Sequence, residues 1–335
     1  MKNTQIKQIL TISLLLGSIG APQSHAQTAD PAANAAKTYP TRPIRLIAAS
    51  APGGTSDILA RMLAQKLTEA FKQQVVVENR AGASGILGTD AVAKALPDGY
   101  TLLMIQPSLT INPSIFAKLP YDTLNDLAPV INVVDVAQCV SAHPSVPAKN
   151  VKELIALAKA RPGTLISGTP GAGTHPHLTA ELFQQMAGIK IQQVVYKGVS
   201  PALIALMSGE VAVAFSAVPS VLPYIKSGKV RALGVTTAQP LPSLPGVPTI
   251  TASALPGFES TQWFGILAPA GTPRAVIDLL HQTIARISNS ADIKERMTGM
   301  GMTPINSTPE QFAALIKTEL VTWAKVIKTA GIKPQ

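Results

Sequence analysis

The sequence has very little cysteine, few aromatic residues and few charges. One cysteine, Cys139, occurs in 335 residues, so no disulfide can form within the chain. It lies in the apolar run VAQCV with no histidine or lysine beside it to activate the thiol, and we expect a buried strand residue. Aromatic residues make up 4% and charged residues 14% of the chain, which leaves small and aliphatic residues to build the core.

The chain also lacks blocks of positive charge and long apolar runs. Its formal net charge is +10, but the lysines and arginines are scattered. With few aromatic side chains for base stacking, this pattern argues against a nucleic-acid partner. A basic surface favours small anions as partners, or it serves only solubility, and the composition leaves both interpretations open. The apolar run at residues 9–20 is too short to span a bilayer.

The N-terminal segment has the features of a secretory signal peptide. Lys2 and Lys7 precede the apolar run, and Ser24-His25-Ala26 has the small-x-small pattern of a cleavage site. We therefore predict that residues 1–26 are removed after Ala26 and that residues 27–38 form a flexible leader. The mature protein would then be exported.

Strand and helix signals alternate along the mature chain, which predicts an α/β fold with a parallel sheet. A strand-like run at residues 44–48 precedes an amphipathic helix at 57–71, and similar cycles recur over residues 151–236. The C-terminal segment is mostly helical and needs a sheet to cover. We therefore expect it to return to the first α/β unit.

This return predicts two domains, of which the first is discontinuous. We predict that residues 39–135 and 240–335 form domain 1 and that residues 136–239 form domain 2. Two crossings, near residues 130–140 and 230–250, would make a hinge that allows closure around a ligand. The stretch 239–257 holds five prolines and is predicted to be irregular.

Two glycine-bearing turns, loop one (APGGTSD, residues 51–57) and loop two (GTPGAGTH, residues 168–175), each follow a strand-like run and open a helix. The free N–H groups and the positive dipole end of a helix start favour an anion. Two facing starts would hold a small carboxylate from both sides. The candidate ligand-binding residues in these loops are Ala51, Gly53, Gly54, Thr55, Ser56, Asp57, Thr169, Gly171, Ala172, Gly173, Thr174 and His175.

Other kinds of site fit the sequence poorly. Loop two has the glycine spacing of a phosphate-binding loop but lacks its lysine, so we expect no nucleotide cofactor. His175 and His177 lack the further ligands that a metal site needs, and no metal is predicted. We expect His175 to donate to the carboxylate and His177 to cap or pack. Arg80 would face the anion or pair with a structural carboxylate.

Catalysis is a less favoured alternative. The run GVSPA at residues 198–202 lacks the final glycine of a nucleophile elbow, and nothing in the spacing assembles a catalytic triad. A secreted α/β hydrolase acting on a small ester or amide remains the second hypothesis, and a scaffold or signalling protein that binds a sensor remains the third. Trp263 and Phe264 would wall a cleft or belong to the core.

Many short motifs along the mature chain resemble the Bug family (TctC-like), the periplasmic solute-binding receptors of tripartite tricarboxylate transporters. They include YPTRPIRLI at residues 39–47 and APGGTSD in loop one. The others are VENRAGASG at 77–85, PDGYTLL at 97–103, NP at 112–113, LPYD at 119–122, HPSVP at 143–147, YKG at 196–198, WFG at 263–265 and APAGTP at 268–273.

The resemblance implies a two-domain periplasmic-binding-protein fold of the Venus flytrap type, with the ligand held mainly by backbone amides. It implies a receptor rather than an enzyme, a small carboxylate as ligand, and a membrane permease as partner, with a sensor protein as a further possible partner. We expect a monomer. Ser216 stands where many relatives carry Asp-Asn, at a position that often contacts the ligand, and Ser108 completes the predicted set of ligand-binding residues.

Overall fold

The computed structural model describes residues 38–329. The predicted signal peptide and residues 27–37 of the predicted leader lie outside the described residues. In the described part, ten strands join one sheet. They are β1 (Ile44–Ala48), β2 (Val75–Asn79), β3 (Thr101–Ile105), β4 (Leu127–Ala142), β5 (Ile166–Thr169), β6 (Gln192–Val195), β7 (Val213–Ala217), β8 (Arg231–Val235), β9 (Thr261–Pro269) and β10 (Met302–Pro304).

Helices cover both faces of this sheet, and in the described residues none is long and apolar enough to cross a membrane. The helices are α1 (Thr55–Phe71), α2 (Ile86–Ala93), α3 (Ser108–Ile115), α4 (Val151–Ala160), α5 (His175–Ala187), α6 (Val199–Ser208), α7 (Val218–Lys226), α8 (Ile250–Ser253), α9 (Arg274–Ser288), α10 (Ala291–Gly299) and α11 (Pro309–Thr329), with a short 3-10 turn at Ala83–Gly85.

Local sequence explains where the main helices form. In α1, Leu59, Leu63 and Leu67 recur every four residues and are buried, which gives the helix an apolar face against the sheet. In α4, the side chain of Asn150 accepts a hydrogen bond from the Glu153 N–H and caps the helix start. Helix α1 begins close to the predicted residue 57 and ends at the predicted residue 71.

The strand order is β2-β1-β3-β9-β4-β7-β5-β6, and β8 and β10 also pair with β4. Outer pairs such as β1–β2 and β5–β6 are parallel, as predicted. The central pairs are antiparallel, because β4 carries the chain across the molecule and β9 brings it back. The α/β class is confirmed, but the sheet is mixed rather than parallel.

Strand β4 divides the molecule into two halves. Its residues 127–137 pair with β9, while residues 138–142 pair with β7. We call β1–β3, β9, β10 and residues 127–137, with α1–α3 and α9–α11, the first lobe. The second lobe comprises β5–β8 and residues 138–142, with α4–α8. Each lobe has its own apolar clusters.

The predicted domain boundaries stay a prediction. The packing of residues 250–258 nevertheless indicates where the chain crosses back to the first lobe. Ile250, Leu255 and Phe258 belong to the apolar cluster of the second lobe, although the predicted boundary at residue 240 assigns them to domain 1. The stretch 239–257 is irregular except for α8, a single turn capped by the Thr249 hydroxyl. We therefore propose that the chain returns to the first lobe at Ser260 rather than near residue 240.

Candidate functional site

A cavity of about 420 Å³ lies between the two lobes and is lined by both predicted loops. Its volume is in the range typical of small-molecule sites. Nine of the fourteen candidate residues line it. They are Ala51, Gly54, Thr55, Ser56, Gly171, Ala172, Thr174, His175 and Ser216.

Helix starts converge on this cavity. The N-cap residues of α1, α2, α5, α6 and α7 all line it, and they are Gly54, Gly85, Thr174, Gly198 and Ala217. The first N–H groups of a helix have no partner within the helix, and the helix dipole places partial positive charge there. Five such ends around one space favour an anion strongly.

The side chains that line the cavity add to this preference. Among the described residues that line it, Lys197 is the one lysine or arginine, and none is an aspartate or glutamate. Burial lowers the pKa of His175 to about 4, so its ring is neutral at physiological pH. The fixed polarity of the cavity is therefore positive and comes largely from the backbone.

Asp57 shapes loop one from outside the cavity. One carboxylate oxygen accepts the Gly53 N–H at 2.9 Å, and the other accepts from Asn79 Nδ2 at 2.9 Å and Arg61 Nε at 2.9 Å. Gly53 and Asp57 bond to each other and do not line the cavity, and their contact with a ligand stays a prediction. The carboxylate fixes the loop and leaves later N–H groups for a ligand.

Loop two uses the same device with a different side chain. The Gly173 N–H donates to Nδ1 of His177 at 3.0 Å, again across four residues. Nδ1 accepts this hydrogen bond and so carries no proton, and burial lowers the pKa of His177. The prediction gives His177 a capping or packing role, and its ring binds the N–H of Gly173, the residue before the N-cap Thr174. Gly173, predicted to contact the ligand, does not line the cavity.

His175 lines the cavity, but its ring already has protein partners. Nδ1 contacts Nε2 of Gln138, and Nε2 lies 3.5 Å from the Ser260 hydroxyl. The ring is buried, with 5% of the residue exposed. Donation from this ring to a carboxylate stays a prediction, and the structure gives its nitrogens other partners.

Two further candidates do not line the cavity. The Ser108 hydroxyl lies beneath the turn at Gly85, where a Cβ would stand 3.3 Å from its oxygen. Thr169 ends β5, and its carbonyl accepts the Tyr196 N–H at 2.8 Å, which ties loop two to the start of the next connection. Both residues are buried behind the cavity wall.

Sequence reasoning missed the turn at residues 82–85. All four residues have positive φ, from +45° to +128°, and all four line the cavity. The turn lies in the motif VENRAGASG, in which the sequence indicates only Arg80 as a candidate for contact with the anion. Arg80 does not line the cavity and pairs with Glu78 at 2.5 Å, so the structural alternative is confirmed.

The aromatic pair divides between core and cavity. Phe264 lines the cavity, whereas Trp263 is buried and donates its indole N–H to Glu319 at 2.8 Å. Gln106 and Gln262 also line the space, and neither was predicted. Within residues 38–329, no group of three or more histidine, cysteine or acidic side chains could hold a metal ion.

Comparison with known proteins decides the family. The sequence profile described as "Tripartite tricarboxylate transporter family receptor" matches residues 59–332. Protein BugT of Bordetella pertussis is 38% identical over 335 residues, which cover 99% of this chain and 99% of BugT. The chain belongs to the tripartite tricarboxylate transporter receptor family. The resemblance read from the motifs is confirmed.

Solved structures of this receptor family have the same fold. Rpa4515 of R. palustris, solved with adipate, has a TM-score of 0.86 and 36% identity, with 89% of this chain and 100% of that chain covered. MatC (Rpa3494) from Rhodopseudomonas palustris, with bound malate, has a TM-score of 0.80 and 28% identity, with 86% and 100% covered.

Membership in this receptor family settles the functional class. These proteins are periplasmic binding receptors and not enzymes, so the hydrolase alternative is wrong. The family also supports a periplasmic location. The predicted cleavage after Ala26 lies outside the described residues.

Proposed function

We propose that this receptor binds a small carboxylate in the cavity between its lobes and delivers it to the permease of a tripartite tricarboxylate transporter. The observation that carries the proposal is the convergence of five helix starts on a cavity whose described lining includes no acidic side chain. In this proposal, backbone N–H groups of loop one and loop two hold the carboxylate.

The relatives suggest which acids to try first. Rpa4515 was solved with adipate and MatC with malate. The cavity has room for acids of this size, and its wall combines polar loops with apolar residues such as Phe116, Val195 and Phe264. Such a wall suits an acid that has both charged ends and an aliphatic body.

The remaining parts of the proposal follow from the family and the sequence. Export would remove residues 1–26. The two lobes, which correspond approximately to the predicted domains, would close on the ligand. A monomeric state and a sensor partner stay predictions.

A panel of carboxylates tests the proposal. We expect adipate, malate or a related acid to raise the unfolding temperature, because a ligand that binds only the folded state stabilises it, by about 2.7 kcal/mol at 100 times Kd. Differential scanning fluorimetry finds the acid, and calorimetry gives one site per chain. A full panel of mono-, di- and tricarboxylates without any shift would refute carboxylate binding.

Paired glycine variants test the cavity itself. Gly171 lines the cavity, and Gly171→Val would place its side chain beside Thr174 and Ser84. We expect it to lower affinity at least tenfold, or about 1.4 kcal/mol. The control is Gly299→Val, at an exposed position where a Cβ meets no atom within 4 Å. Equal affinity in both variants would place the ligand elsewhere.

A further inference from the structure

The points where the chain crosses between lobes are hydrogen-bonded to one another. Gln138 lies in β4, Thr236 follows β8, and Ser260 precedes β9. The Thr236 N–H donates to the Gln138 carbonyl at 3.0 Å, and the Ser260 N–H donates to the Thr236 carbonyl at 2.9 Å. The Thr236 hydroxyl also accepts the Gln138 N–H at 2.9 Å. Outgoing and returning segments therefore meet at one place.

Side chains of α5 complete this junction. Gln138 Nε2 contacts His175 Nδ1 and donates to the Thr179 hydroxyl at 2.8 Å. The Thr179 hydroxyl lies 2.8 Å from the Ser260 hydroxyl. We call Gln138, His175, Thr179, Thr236 and Ser260 the crossing cluster. Because an amide NH₂ can only donate, Nδ1 of His175 must accept, and its proton resides on Nε2, facing Ser260.

His175 connects this junction with the ligand cavity and with the first lobe. It is the first residue of α5, directly after the N-cap Thr174, and both residues line the cavity. The Trp323 ring, on α11 of the first lobe, stands edge-on to the His175 ring with centroids 6.0 Å apart. One side chain thus touches the crossing segments and the opposite lobe, while its backbone belongs to loop two.

We propose that His175 is a positioning residue for lobe closure, whose ring locks loop two to the crossing cluster so that only one interlobe angle satisfies all its hydrogen bonds. The expected effect on ligand affinity rests on the proposed function. The effect on the interlobe angle does not depend on it. Buried polar networks tolerate few arrangements, because each broken bond leaves a desolvated polar atom. Opening the lobes would move Ser260 and Trp323 relative to α5 and break this set.

Interlobe distances test the proposal. Spin labels are placed at Leu96→Cys in the first lobe and Ile204→Cys in the second, which are 73% and 60% exposed, while the native Cys139 is fully buried. We expect a narrow distance distribution with adipate and a broader one in His175→Ala, together with about tenfold higher Kd for adipate. His175→Asn, whose side-chain oxygen replaces Nδ1 as acceptor, should restore both values.

The control separates closure from general destabilisation. Leu154→Ala removes a fully buried side chain of the second-lobe core that does not belong to the crossing cluster. It should lower the unfolding temperature and leave the distances narrow. Equal broadening in Leu154→Ala, or wild-type distances and Kd in His175→Ala, would overturn the proposal. If the wild-type protein binds no adipate, the proposed ligand fails, and the ligand-free distributions of the same variants still decide the role of His175.

Discussion

At the scale of single residues, the site depends on side chains that never reach the cavity. Asp57 accepts the Gly53 N–H, and His177 accepts the Gly173 N–H, in both cases across four residues. A carboxylate in one loop and an imidazole in the other thus perform the same structural task.

The buried His175 ring predicts a dependence of stability on pH. The unfolded imidazole gains a proton near its ordinary pKa of 6.5, whereas burial holds the pKa in the folded state to about 4. Between these values the unfolded state binds more protons, so the free energy of unfolding falls as pH decreases. The loss would be roughly 3 kcal/mol between about pH 7 and pH 4.

Urea unfolding of wild type and His175→Asn over this pH range measures the effect. The groups facing the ring are Gln138, Thr179, Ser260, the backbone of Thr261 and Trp323, none of which is charged. His177 titrates in both proteins and cancels in the difference. Parallel curves for the two proteins would show that His175 is not the source.

The sequence predicted the loops of the site better than the chemistry of individual residues. Helix starts after strands are local features, so the sequence could indicate Gly54, Thr55 and Thr174, which line the cavity. Whether an amide faces the ligand or a neighbouring side chain depends on geometry, so the sequence could not show that the Gly53 and Gly173 amides bond to Asp57 and His177. The turn at residues 82–85 has four successive positive φ values. Two of these residues are Ala83 and Ser84, which do not indicate such a conformation in the sequence.

At the scale of elements, the contact between β9 and α11 closes the first lobe. A Cβ at Gly265 would overlap the Phe312 ring and stand 3.0 Å from the Ile131 carbonyl. Phe312 is fully buried and packs edge-on against Trp263 with centroids 5.0 Å apart. The absence of a side chain at Gly265 therefore lets the C-terminal helix approach the sheet.

We expect Gly265→Ala to destabilise the protein by about 1–3 kcal/mol, because the Phe312 ring has no free space into which it can move. Chemical denaturation measures this change. Gly299→Ala is the matched control, since it adds the same methyl group in open space within a helix and should be neutral or slightly stabilising. Similar stabilities for both variants would contradict the packing argument.

Most elements could be predicted from periodicity, and the exceptions have local causes. Helix α1 has an apolar stripe and closely matches the predicted range 57–71, and α9 to α11 form the predicted helical C-terminal segment. Helix α3 contains Pro113, which is usually read as a helix breaker. Strand β9 carries Gly265 in its centre, and β10 is only three residues long. The antiparallel centre of the sheet depends on long-range pairing that periodicity does not report.

At the scale of the whole molecule, side-chain hydrogen bonds join the lobes around the cavity. The Ser200 hydroxyl donates to the Pro52 carbonyl at 2.7 Å, and the Ser84 hydroxyl donates to the Ala172 carbonyl at 3.0 Å. The hydroxyls of Thr55 and Ser220 lie 2.9 Å apart. These bonds hold the two lobes together in the arrangement that the structure shows.

Ser200 does not line the cavity, so its removal tests this arrangement without touching the ligand. We expect Ser200→Ala to raise the dissociation rate of a bound carboxylate about fivefold, equivalent to one hydrogen bond of about 1 kcal/mol, with little change in association. Stopped-flow fluorescence measures both rates. Ser145→Ala, which removes a hydroxyl bonded within the second lobe, is the control. An unchanged dissociation rate would show that this bond does not hold the lobes together.

Strand β4 runs unbroken for sixteen residues through both lobes, with irregular register against β9 near residues 129–134 and against β8 at residues 140–141. A strand that is paired along most of its length cannot rotate freely, and it bends most easily at its bulges. The two lobes are therefore expected to open and close along a single path, by bending of β4 at its bulges. Substitutions in the loops can then alter which solute is accepted while the motion that a permease would sense stays the same.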